Sequence, residues 1–123
     1  MTKTTSYEIS KQLKEAGFEA ETDFYWYCYD NGREMRHIAD ADGKGNVKSY
    51  DLETILESIC FVIQDLEKDK NYWFVMNQQD LSYISCDGET NIDFYTPRQK
   101  NESLADTAGR LLLLLHEKNL IKF

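Results

Sequence analysis

The spacing of hydrophobic positions switches repeatedly along the chain between a helical period and strict alternation. In "TTSYEISKQLKEAGF", Ile9, Leu13 and Ala16 share one helical face. Thr5 and Glu8 have the spacing of a capping box, and Gly17 stands where a left-handed helix end is wanted. These features predict a helix over about residues 6–16, with Phe18 folding back onto its last turn. The period then becomes two in "TDFYWYCYDNGREMRHIAD": Phe24, Trp26 and Cys28 alternate with Tyr25, Tyr27 and Tyr29, and the turn signal Asp30-Asn31-Gly32 follows. This predicts a hairpin with aromatic residues on both faces. One face packs on a helix, and the other is covered too or forms a sticky patch.

Helical spacing returns in "SYDLETILESICFVIQDLEKDK", where Leu52, Ile55, Leu56, Ile59, Ile63 and Leu66 fall within one arc. A helix starts near Ser49 or Tyr50, with Ser49 as its cap and Asp51 near its positive end. Two endings fit the pattern. Either the helix runs on to Leu66, or it stops near Ile59 and residues 60–66, rich in β-formers, make a strand that turns at "EKDKN".

A meander follows, with strands at Tyr72 to Met76 and Leu81 to Cys86 and a short third strand near Ile92 to Tyr95 that ends at Pro97. The chain closes with "NESLADTAGRLLLLLHEKNLIKF". Asn101 or Ser103 caps a helix whose inner face is Leu104, Ala108, Leu111, Leu112 and Leu115. Leu113 and Leu114 widen that face, Asn119 ends the helix left-handed, and "LIKF" docks as a tail. The order describes one α+β domain over residues 1–123: a mostly antiparallel sheet, hairpin plus meander, packed with about three helices.

Composition narrows the chemistry. A chain of 123 residues supports one hydrophobic core. Cys28, Cys60 and Cys86 are odd in number and widely spaced, which fits reduced, buried thiols. The start "MTKTTSYEIS" has no apolar signal-peptide core, and the longest apolar run is Leu111 to Leu115, so a cytoplasmic protein with no membrane partner is expected. The net charge of -8 argues against a nucleic-acid partner, whose backbone is bound by clustered Lys and Arg.

"DADGKGNVKSYD" is the sharpest local match to a known site. Asp40 and Asp42 take the first two carboxylate places of an EF-hand loop, Gly45 its sharp turn and Val47 the apolar place after it. Lys44, however, puts a cation where an oxygen ligand belongs, Asp51 replaces the long bidentate glutamate, and no helix enters the loop. The stretch therefore reads as a strand-to-helix connector. Asp40, Asp42 and Asp51 remain its weak metal candidates, and the expectation is no metal and no cofactor.

His37 and His116 belong to no metal or nucleophile motif. Cys28 meeting His37 across the hairpin is the nearest thing to a nucleophile and base, and the reading taken is an ordinary cross-strand pair. No phosphate-cradling glycine pattern occurs. If the middle helix runs to Leu66, the order helix, three strands, helix matches double-stranded RNA-binding domains. "NESLAD" nevertheless puts Glu102 and Asp106 where such domains need basic residues. No catalytic residue is assigned.

With "SYEISKQLKEAGF", "SYDLETILESI" and "ESLADTAGRLLLLLHEKNLIKF" in view, the chain resembles a loose group of short, uncharacterised proteins encoded by bacteriophages and prophages. The matching positions are mainly caps and core residues, so the resemblance implies a fold and no catalytic residue or cofactor. The expectation is a small acidic accessory protein, not an enzyme, that binds a host or phage protein through an aromatic or acidic surface, with Tyr25, Tyr27, Tyr29 and Phe61 as the aromatic candidates. The alternative is a small-molecule binder or enzyme with a pocket between the hairpin and a helix. Monomer and homodimer stay open, the Leu-rich closing helix or a strand edge serving the latter.

Overall fold

A computed structural model describes residues 4–22, 24–28, 35–39, 47–59, 62–65, 70–85, 95–121 and 123. Helices α1 (Tyr7–Glu15), α2 (Leu52–Ser58) and α3 (Leu104–Glu117) accompany strands β1 (Phe24–Cys28), β2 (Met35–Ala39), β3 (Val47–Ser49), β4 (Val62–Asp65), β5 (Lys70–Met76), β6 (Asp80–Ser85) and β7 (Thr96–Pro97). The α+β class with hairpin, meander and three helices is as expected. The single sheet expected is instead two antiparallel sheets, ordered β2-β1-β3 and β4-β5-β6-β7, because among the described residues β1 pairs with β2 and β3 and not with the meander.

Local chemistry fixes the helix ends. Ser6 caps α1, its Oγ accepting from the Ile9 N–H at 3.4 Å. The cap lies one residue beyond Thr5, whose hydroxyl is buried and bonded elsewhere. Gly17, at φ +93°, closes α1 in a Schellman motif, with the Phe18 N–H on the Leu13 carbonyl and the Gly17 N–H on that of Lys14. The same motif ends α3 at Asn119, φ +60°, with Leu120 bonded to Leu115 and Asn119 to His116. Ser103 caps α3, its Oγ accepting from the Asp106 N–H at 3.1 Å.

The middle of the chain follows the shorter of its two readings. α2 ends at Ser58, Ile59 is extended, and β4 pairs with β5 from Val62. The run after Ser58 is rich in β-branched residues, which pack better on a pleated surface than in another helical turn. Ser49 is not the cap of α2: it lies in β3, opposite Phe24 of β1. Asp51 takes the cap, Oδ1 accepting from the Thr54 N–H at 2.8 Å. Of the third strand expected at Ile92 to Tyr95, residues 92–94 lie outside the described residues and Tyr95 is not in a strand; the strand that pairs with β6 is Thr96–Pro97.

The core surrounds α3. Leu111, Leu112, Leu115 and Ala108 of α3 pack with Ile9 and Leu13 of α1, Ile55 of α2, and Ile63, Tyr72, Leu81 and Tyr83 of the second sheet. Phe18, Tyr50 and the tail residue Phe123 extend it, Phe18 meeting the other two edge-on at 4.9 and 5.1 Å.

α1 and α3 approach closely at Gly109, where an added Cβ would stand 2.6 Å from Ile9 Cγ2. Gly109→Ala is therefore expected to destabilise the fold by about 1–3 kcal/mol through overpacking. Urea unfolding checks this, and the cost should shrink in an Ile9→Ala background, where the obstructing methyl is gone.

Candidate functional site

Two surface features stand out: a pocket beside the first sheet and an apolar face on the second. In β1, Trp26 faces α1: its Nε1 donates to the Thr5 carbonyl at 3.0 Å and its ring meets Tyr7 edge-on. The opposite side presents Tyr25, directly across from Lys48 of β3. The chain leaving α1 closes over this side. The result is a half-open pocket of about 290 Å³ lined by Lys14, Gly17, Phe18, Glu19, Tyr25, Lys48 and Tyr50. It lies between a helix and the hairpin sheet, at the small end of ligand-sized cavities.

Lys48 Nζ donates to Glu19 Oε1 at 3.3 Å and to the Ala20 carbonyl at 3.4 Å. Burial pulls the Lys48 ammonium down, but the hydrogen bond and charge of Glu19 outweigh it and hold the pKa above its ordinary value. Burial likewise raises the Tyr50 hydroxyl. Both groups are therefore protonated at neutral pH, and neither is poised as a base.

The apolar face lies on the outer side of the second sheet. The register sets Val62, Trp73 and Ile84 in one row across β4, β5 and β6, with Val75 beside Trp73 on the same face. Trp73 is 52% exposed and Val62 44%. Gln64, Asn71 and Ser82 on that face are uncharged, and Asp80 stands at its β6 end.

The carboxylates at the start of α3 are committed to structure. Glu102 is gripped by Arg110 through Nε to Oε2 at 2.8 Å and Nη2 to Oε1 at 2.7 Å, and its Oε1 also accepts from the Thr107 hydroxyl and the Gln99 N–H. Arg110 Nη2 also donates to the Pro97 carbonyl, joining β7 to α3. Burial pushes the Glu102 carboxyl up, but these donors together hold it below its ordinary value. Asp106 Oδ1 accepts from the Ser6 N–H at 2.6 Å. There burial dominates, and the Asp106 pKa is raised.

Of the residues singled out from sequence, Tyr25 lines the pocket. For Tyr27 only the β1 backbone is described, and Tyr29, Phe61, Asp40 and Asp42 lie outside the described residues. Asp51 is a helix cap. The register sets Cys28 opposite Met35 and His37 opposite Trp26, so the two residues are not directly paired across the hairpin. His116 stacks on Phe123 at 4.1 Å, and its Nδ1 is buried with no hydrogen-bond partner among the described residues. Among those residues no group of three or more His, Cys, Asp or Glu could hold a metal ion, and no helix is long and apolar enough to cross a membrane.

Sequence reasoning missed Lys14, Glu19 and Lys48, which meet only through the fold. It also missed Trp73 and Val75, although "NYWFVM" carries large apolar residues at successive positions, the same two-faced signal read in β1. Comparison with family models, with curated proteins and with solved structures finds no match.

The two carboxylates give opposite pH dependences. Glu102, depressed in the fold, contributes stability that is present above its unfolded pKa near 4.5 and lost as pH falls through the folded value. Asp106, raised in the fold, contributes stability that is present below its unfolded pKa near 3.8 and lost as pH rises through the folded value. In urea unfolding at a series of pH values, the deficit of Glu102→Gln against wild type should therefore shrink on acidification. Asp106→Asn, which keeps the acceptor for Ser6, should gain on wild type as pH rises through the carboxylate range.

Proposed function

We propose that this chain is a small non-enzymatic accessory protein, of the kind encoded by bacteriophages and prophages, that acts by binding a host or phage protein. The observation that carries the reading is the exposed apolar patch of Val62, Trp73 and Val75, with the partly buried Ile84 beside Trp73 in the same row. Contiguous apolar surface mostly marks an interaction site, and a half-exposed tryptophan is the residue type most often found as a binding anchor. The described carboxylates with shifted ionisation are engaged in holding α3, which leaves them no evident catalytic task.

Charge selects the partner's character. The centre of the face around Trp73 is uncharged and Asp80 lies at its β6 end, while the chain as a whole carries -8. A partner with an apolar centre and a basic rim gains from both, whereas a second copy brings two acidic surfaces together. The proposed interface therefore has Trp73 at its centre, and the net negative charge of the chain favours a partner rich in lysines and arginines.

A photo-crosslinking residue at position 75, with one at exposed position 12 of α1 as control, tests this in the cells that carry the protein. The expected result is one protein partner trapped from position 75 alone, with a yield that falls with salt and drops about tenfold or more in Trp73→Asp. Crosslinks joining two copies of the chain, or equal yields from both positions, contradict it.

A further inference from the structure

The pocket between the end of α1 and the first sheet is separate from the apolar face of the second sheet, and its lining differs in kind. Its lining carries two cations, Lys14 and Lys48, against one anion, Glu19. That is a net charge of +1 on a chain of net charge -8. The remaining side chains are the rings of Phe18, Tyr25 and Tyr50. Phe18 and Tyr50 are almost fully buried and fixed edge-on against each other, so the apolar floor is preorganised. Gly17 lies at the mouth, where even an added Cβ would meet nothing within 4 Å.

Lys48 is the polar centre. Glu19, its partner, is 78% exposed, so it pays side-chain entropy to hold one geometry and is screened by water and salt. An anion resting against the aromatic floor meets neither cost in full and can take Glu19's place. We propose that this pocket binds a small aromatic monocarboxylate, the carboxylate on Lys48 with Lys14 nearby and the ring among Phe18, Tyr25 and Tyr50. The volume of about 290 Å³ suits a ligand of one ring. A monoanion is favoured over a phosphate dianion because the site sits at the negative end of α1 and retains Glu19 close by.

Benzoate is the probe, followed through the backbone amide resonances of Gly17, Glu19, Lys48 and Tyr50. Saturable shifts confined to these amides are expected. Acetate, benzyl alcohol and benzylammonium, which lack the ring, the charge or its sign, should bind about tenfold or more weakly. Lys48→Gln and Tyr25→Ala should each weaken benzoate by a similar factor, while Glu19→Gln, which removes the competing anion and leaves the pocket walls intact, should tighten it. The proposal is overturned if benzoate gives no saturable shifts in wild type and in Glu19→Gln. It is equally overturned if benzylammonium or inorganic phosphate binds as well as benzoate, or if Glu19→Gln weakens binding.

Discussion

Thr5 ties the first sheet to the helices. Its N–H donates to the Tyr50 carbonyl at 2.8 Å, its hydroxyl accepts from the Tyr50 N–H at 3.1 Å, and its carbonyl accepts from Trp26 Nε1. Its hydroxyl also shares a hydrogen bond of 2.7 Å with Ser10 of α1. Most of this is out of water: Thr5 and Ser10 have no exposed surface, Tyr50 almost none, and the Trp26 bond is part-buried. Any one of these groups left unpaired would cost about 1–3 kcal/mol, so the junction forms as a unit or not at all. The next residue carries the tie onward, because the Ser6 N–H donates to Asp106 at the start of α3. One short segment thus connects the first sheet, α1 and the closing helix.

The surface follows from that arrangement. With α1 held against β3 by the junction, the chain leaving the helix at Gly17 is directed over the Tyr25 side of the sheet, and Tyr50, bonded to Thr5 through its backbone, lays its ring on Phe18 as the pocket floor. α3 in turn takes up the inner face of the second sheet through Leu81 and Tyr83. The outer face of that sheet keeps Val62, Trp73 and Val75 in contact with water. Two features of different character, a cationic aromatic pocket and an apolar face, therefore sit on an acidic chain.

The sequence was most legible where structure is locally determined. Gly17, Ser103 and Asn119 act within a turn of their own position, and the helix ends they mark are found where the residues place them. Strand β3 was hidden because its partner is β1, more than twenty residues away; Val47 and Ser49 read as loop and cap until that pairing forms. The same distance effect moved the caps: Thr5 and Ser49 have the right chemistry, but long-range partners claim them, and Ser6 and Asp51 serve instead. Of the candidate site, Tyr25 was legible from alternation alone. Lys48 and Glu19 were not, since they are separated by 29 residues and meet only after α1 docks.

The claim that the Thr5 junction holds the domain together is tested most directly by native-state hydrogen exchange of the Thr5, Ser6 and Tyr50 amides. If the account holds, these amides exchange only through global unfolding, with the same free energy as those of Leu111 and Leu112 in the centre of α3. Exchange of the three amides through a low-energy local opening, while α3 stays protected, would contradict it.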